Sequence, residues 1–172
     1  MKACFWLVTV LAFAGLVSSQ AQSLGEQRLI KEVRHELVML PNLNAFDNLS
    51  FRVDGSTVTL MGQVTRPVLK SDAENVVKRI EGVEGVVNQI EVLPLSPNDD
   101  RIRRAVYLAL VQKVQLQKYF MQALPPIRII VKNGKVTLEG VVANQGDSDI
   151  AKLAANGVSG VFGVTNNLRV EK

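Results

Sequence analysis

Cysteine, tryptophan and histidine each occur once in this chain, as Cys4, Trp6 and His35. A single thiol cannot close an intrachain disulfide, and no cysteine pair is available to hold zinc or to run thiol exchange. The motifs of nucleotide chemistry are absent as well: there is no Walker A loop and no G-x-G-x-x-G. No G-x-S-x-G nucleophile elbow occurs. The stretch Gly157 to Gly163 is rich in glycine but leads into a strand, the wrong context for cradling phosphate at a helix N-terminus. Long hydrophobic runs are missing too. The one candidate, Phe5 to Val17, falls short of the roughly 20 residues that a membrane-spanning helix needs.

That short run sits in a recognisable setting. Lys2 precedes it, Ser18 and Ser19 follow it, and Ser19 and Ala21 flank Gln20 in an A-x-A-like pattern. This reads as a secretory signal peptide over residues 1–21, cut after Ala21. An uncleaved anchor would need a longer run, and a lipoprotein cysteine would follow the run, whereas Cys4 lies before it. Cys4 and Trp6 leave with the signal, so the exported protein carries no thiol nucleophile and no cysteine-based metal site.

A metal site elsewhere would need carboxylates around one imidazole. Glu32, His35 and Glu36 share a helical face, but with Lys31 and Arg34 among them the face reads as solvated surface. No metal and no cofactor is expected. Asp99-Asp100 complements a helix dipole better than it makes a catalytic pair. No paired acid and base stands out, and no enzyme activity is expected.

Charge is unevenly spread. The chain carries +4 overall. Residues 22–94 hold 8 basic and 10 acidic side chains, a balance of −2; residues 95–172 hold 11 and 6, a balance of +5. The basic half calls for an acidic partner. Nucleic acid fits poorly: export separates the two, and no basic strand interleaved with aromatics is present for stacking bases.

What the chain has is a repeat. "VTLMGQV" at Val58 to Val64 returns as "VTLEGVV" at Val136 to Val142. In that register Gly62 falls on Gly140, Ala73 on Ala151, Gly82 on Gly160, Gly85 on Gly163 and Asn88 on Asn166, with no gap. The chain is therefore a tandem duplication of one supersecondary unit, divided here as residues 22–94 and 95–172. In the second copy, apolar Ile127 to Lys132, the turn Asn133-Gly134 and Lys135 to Val142 predict a hairpin. Asp54-Gly55-Ser56 closes the first hairpin less tightly. The in-strand glycines Gly62 and Gly140 predict a bulge or a close approach by the following helix.

A helix follows each hairpin, with Leu69, Ala73, Val76, Val77 and Ile80 on its inner face in one copy and Ile150, Ala154 and Val158 in the other. A closing strand then implies a right-handed crossover to a parallel neighbour. A helix also precedes each hairpin. The first starts at the capping box Ser23 to Glu26; the second starts at Ser96 to Asp99 and runs to about Ala123. The fold class is α+β: two α-β-β-α-β units, each a three-stranded mixed sheet with two helices on one face.

The strand "VTLMGQV"/"VTLEGVV", the helix with its alanine and the closing pattern resemble the BON domain. That pattern reads Gly82, Val83, Val86, Asn88 and Ile90, then Gly160, Val161, Val164, Asn166 and Leu168. The layout is similar to that of two-BON periplasmic proteins. The resemblance implies a cell-envelope role linked to osmotic stress, contact with phospholipid surfaces and no catalytic residue. It also implies that the motif glycines and asparagines are structural.

The helix from Ser96 carries the candidate contact surface. Ile102, Val106, Ala109, Leu110, Leu116, Phe120 and Leu124 share one face at 100° per residue. Arg104, Tyr107, Leu108, Val111, Gln115, Lys118 and Tyr119 lie on the other, with Arg103 beside them. Apolar, aromatic and basic side chains together suit a membrane interface, with cations meeting anionic headgroups. Arg103, Arg104, Tyr107, Leu108, Val111, Lys118 and Tyr119 are the candidate lipid- or partner-binding set. An anionic phospholipid surface or an envelope protein is the expected partner. Packing of the same face against the first lobe is the competing account.

Overall fold

The computed structural model describes residues 14–171, with side-chain surroundings from residue 25 onward. Most of the expected signal peptide, including Lys2, Cys4 and the start of the apolar run, therefore lies outside the described residues. The first lobe runs α1 (Ala14–Val38), β1 (Asn48–Asp54), β2 (Thr57–Val64), α2 (Pro67–Val77), β3 (Gly85–Asn88) and β4 (Glu91–Val92). The second runs α3 (Pro97–Val111), a 3-10 segment η1 (Val114–Tyr119), β5 (Ile127–Lys132), β6 (Lys135–Val142), α4 (Gln145–Asn156) and β7 (Gly163–Val170). Helix α1 begins well before the Ser23 capping box, so that box lies inside a helix and starts nothing in the uncut chain.

The repeated strand is the centre of each sheet. β2 pairs antiparallel with β1 and parallel with β3 and β4; β6 does the same with β5 and β7. Val58 lies opposite Val53 and Val86, and Val136 opposite Val131 and Val164, so the duplication extends to register. Strand periodicity turns Val58, Leu60 and Val64 inward, each fully buried, and Val136, Leu138 and Val142 likewise. The helices close over this face. Leu69, Ala73 and Val77 cover the first sheet, and Ala151, Ala154 and Ala155 the second. Alanines at the centre of α4 let the helix axis sit close to the strands. Each lobe keeps its own core.

Two local readings are corrected. Both hairpins close over two residues, Gly55-Ser56 and Asn133-Gly134, so the first is as tight as the second. Positive φ at Gly55, Asn133 and Gly134 allows this. The in-strand glycines do face a close approach, but from the neighbouring strand and not from the helix. A Cβ on Gly62 would overlap the carbonyl oxygen of Asn48, and one on Gly140 that of Pro126. Both glycines hold positive φ, 114° and 126°.

The motif asparagines pin the last strand to the helix, with the same bonds in both copies. Asn88 Nδ2 donates to the carbonyl of Lys70, 2.9 Å, and its Oδ1 accepts from the amide of Ile90, 3.1 Å. Asn166 does the same with Ser148, 3.2 Å, and Leu168, 3.3 Å. In the first copy this turn splits the strand into β3 and β4, giving four strands on three tracks.

The expected helix to Ala123 breaks after Val111. Continued, it would span about 40 Å, more than a lobe this small can cover. The break lets Leu116 and Tyr119 fold back into the core. Tyr119 then donates its hydroxyl proton to Asp147 at 2.6 Å and accepts from the amide of Ala143 at 2.7 Å. Lys118 completes the cluster, 2.8 Å from Asp147.

Gly62→Ala is expected to cost about 3 kcal/mol or more, from strain at positive φ and overlap with the adjacent strand. Gly25→Ala has open space around it and is expected to gain up to about 1 kcal/mol in its helix; urea unfolding of the two variants measures the difference. Acid should single out Asp147, whose carboxyl is held below its ordinary range by Lys118 and then Tyr119. A lowered folded pKa gives stability that is complete above the unfolded value of about 3.9 and is lost as pH falls through the folded one. The wild type is expected to lose stability below about pH 4 more steeply than Asp147→Asn; superimposable acid-unfolding curves would remove this cluster from the account.

Candidate functional site

Helix α3 starts because Ser96 Oγ accepts from the amide of Asp99, 3.2 Å, and Pro97 fills the first turn. Its inner face is Ile102, Val106 and Leu110, all fully buried. Arg104, Leu108 and Val111 form a stripe on the other side at i, i+4 and i+7. Arg104 is exposed, Leu108 is 57% exposed and Val111 is half-buried. These three lie where the spacing put them.

The remaining four candidates divide. Tyr107 is half-buried, because its ring takes the edge of Phe46 from the first lobe at 6.0 Å and packs on Phe120 at 5.2 Å. Inter-lobe packing thus claims this residue. The main chain joins the lobes as well: the amide of Ile129 donates to the carbonyl of Ala45, 2.8 Å, and Lys132 pairs with Glu91 at 2.5 Å.

Arg103 and Tyr119 are corrections: neither is on the outer face. Arg103 is 4% exposed; its guanidinium donates to the carbonyl of Val131, 2.7 Å, and pairs with Asp100. One residue past Ile102, it falls on the flank of α3 that meets β5. Tyr119 is buried because the chain has passed from 3.6 to about 3 residues per turn. At that pitch it follows Leu116 into the core. Lys118 stays half-exposed beside it, 4.9 Å from the Tyr119 ring centroid. Its bond to Asp147 holds its pKa above the usual lysine range. Much of its charge is answered inside the protein.

Sequence spacing missed other exposed side chains of this lobe. Lys113 is exposed, Val114 is 76% exposed and Leu153 on α4 is 71% exposed. Lys113, Gln115, Ile150 and Leu153 line one shallow crevice of about 350 Å³. The signal was present only as a departure: Leu153 lies off the inner stripe of α4, and Lys113 stands at the helix break.

Asp99 serves a different end. Its carboxylate accepts from the amides of Asn133 and Gly134, 2.9 and 2.8 Å, and so fastens the β5–β6 turn to α3. Its role is wider than complementing a helix dipole. Among the described residues no cluster of three or more His, Cys, Asp or Glu is placed to hold a metal ion, and no helix is long and apolar enough to cross a membrane.

Comparison with known proteins agrees with the repeat. The BON domain profile matches residues 25–94 and again residues 98–172. Osmotically-inducible protein Y of Escherichia coli (strain K12) is 26% identical over 148 residues, spanning 85% of this chain and 73% of that protein. Among solved structures, the C-terminal domain of CdsD, the structural protein of the type III secretion system of Chlamydia trachomatis, gives a TM-score of 0.30 at 12% identity. That alignment covers 84% of this chain and 98% of the other. A likeness of that size carries no argument. The duplicated strand, the strand glycine and the asparagine bridge recur in both matched segments, and the chain belongs to the BON domain family, holding two copies of the domain.

Proposed function

We propose that this is a non-catalytic protein of the bacterial cell envelope, exported to the periplasm, that rests its second lobe on anionic phospholipid. One observation carries the reading: the second lobe exposes the cations Arg104 and Lys113 together with the aliphatics Leu108, Val114 and Leu153. An interfacial surface needs this mixture, with aliphatics entering the headgroup layer and cations answering lipid phosphate. Each such cation adds about 1 kcal/mol near an anionic surface. The +5 balance of the second half and the −2 of the first favour one orientation of the molecule at that surface.

The absence of catalysis is supported by what the buried carboxylates do. Asp47 accepts from the amide and hydroxyl of Thr65 and from the amide of Asn44. Asp99 holds a turn, and Asp147 holds Tyr119, Lys118 and Asn144. Each fastens a loop and is committed to it. The relative named for osmotic induction supports a stress-related envelope role.

Flotation of residues 22–172 with vesicles tests this without the apolar N-terminal run, which would itself partition into lipid. Binding to anionic vesicles, absent from zwitterionic ones and weakened by salt, is expected. Arg104→Glu with Lys113→Glu is expected to weaken it about thirty-fold or more, the equivalent of two lost cations. Lys118 is left alone, since reversing it would set two carboxylates together at Asp147. Equal flotation of the folded double variant, or none by the wild type, would sink the lipid reading and leave the surface to a protein partner.

A further inference from the structure

A groove of about 570 Å³ runs between α1 and the edge strand β1, away from the α3 surface. Its size is that of a pocket for one small ligand, roughly 300–1,000 Å³. Its floor is apolar, from Leu37, Leu43, Leu49 and Phe51. Its rim is basic: Arg34 from α1, Arg52 from β1, Arg128 from β5 and Arg169 from β7. Both lobes therefore contribute.

These cations are poorly answered by the protein. Arg52 pairs with Asp54 at 2.9 Å. Among the described residues, no salt bridge joins Arg34, Arg128 or Arg169 to a carboxylate. Arg128 is half-buried, and its guanidinium donates only to the carbonyl of Asn44, at 3.4 Å. Burial pushes its pKa down, with Asp47 opposing. Asp47 also lines the groove, but its oxygens are already taken by Thr65 and Asn44. A partly desolvated cation that no salt bridge neutralises is costly, and an anion in the groove would offset that cost.

The fold does not demand these side chains. In the repeat register Arg52 falls on Ile130, Arg128 on Ser50 and Arg169 on Glu91, and matching the buried Val33 and Leu37 to Val106 and Leu110 puts Arg34 on Tyr107. The sister lobe builds the same architecture without any of them.

We propose that this groove binds a single-chain anionic amphiphile, its head held by Arg34, Arg128 and Arg169 and its hydrocarbon chain lying over Leu37, Leu49 and Phe51. The chemistry required is a carboxylate or phosphate head on one acyl-length chain, as in a fatty acid or a lysophospholipid. An extended peptide would need pockets for alternate side chains along β1; the groove offers one apolar group instead, Leu37, Leu43, Leu49 and Phe51. The site is independent of the α3 surface and of vesicle binding.

Calorimetric titration of the full chain with laurate and with dodecyl phosphate, each below its micelle concentration, tests the proposal and tells the two heads apart. Saturable binding of one per chain is expected for at least one of them, with inorganic phosphate and uncharged dodecyl maltoside binding far more weakly. Arg169→Gln with Arg34→Gln, two changes at exposed positions, is expected to weaken binding about tenfold or more, the loss of a charge-assisted hydrogen bond. Arg104→Glu should leave it unchanged. The proposal is overturned if neither amphiphile binds, if dodecyl maltoside binds as well as the anions, if the folded double variant binds like the wild type, or if only an acidic peptide saturates the groove.

Discussion

A carbonyl oxygen pressed against a strand glycine sets the geometry of both lobes. The partner strand comes so near at Gly62 and Gly140 that no side chain fits, and both residues take a φ that other residues avoid. The rest follows from that approach. The hairpin stays close-packed through its far end, the central strand keeps Val58, Leu60 and Val64 or their counterparts on the inner face, and the helices meet an even surface. The asparagine bridge then ties the last strand to the crossover helix and fixes where the parallel pairing ends. Two residue types, placed 26 apart in each copy, thus control the register on both sides of the central strand.

The copies part company where the chain enters each sheet. In the first, α1 leads through an irregular loop in which Asp47 collects three hydrogen bonds. In the second, α3 stops early and η1 carries Leu116 and Tyr119 back over the core. This difference makes the lobes complementary. The loop of the first lobe presents Phe46 to Tyr107, and the carbonyl of Ala45 to the amide of Ile129 on β5. Duplication supplied two similar folds, and the divergence of these entrances let one dock on the other.

The sheet architecture was legible in the sequence because it rests on local, repeated signals: Asn133-Gly134, the alternation in "VTLEGVV" and the glycine positions themselves. Those signals are steric and survive duplication. The candidate surface was legible only in part. Arg104, Leu108 and Val111 lie where a 3.6-residue period puts them. Tyr119 does not, since the pitch changes at Lys113 with neither proline nor glycine to announce it. Tyr119 turns inward to a distant partner, Asp147, whose place opposite it exists only in the folded lobe. Arg103 misled for a related reason: a cation beside an apolar stripe reads as surface until β5 offers it a carbonyl. The basic groove was invisible from any window of sequence, because its arginines come from four elements spread over 136 residues.

The bond between the lobes from Ile129 to Ala45 is made by main-chain atoms alone. Every non-proline residue offers that amide and every residue that carbonyl. Mutational drift at either position can alter side-chain packing without erasing the link. Over evolutionary time the mutual orientation of the lobes can outlast the identity of the residues that meet there, while the surfaces on either side of it change.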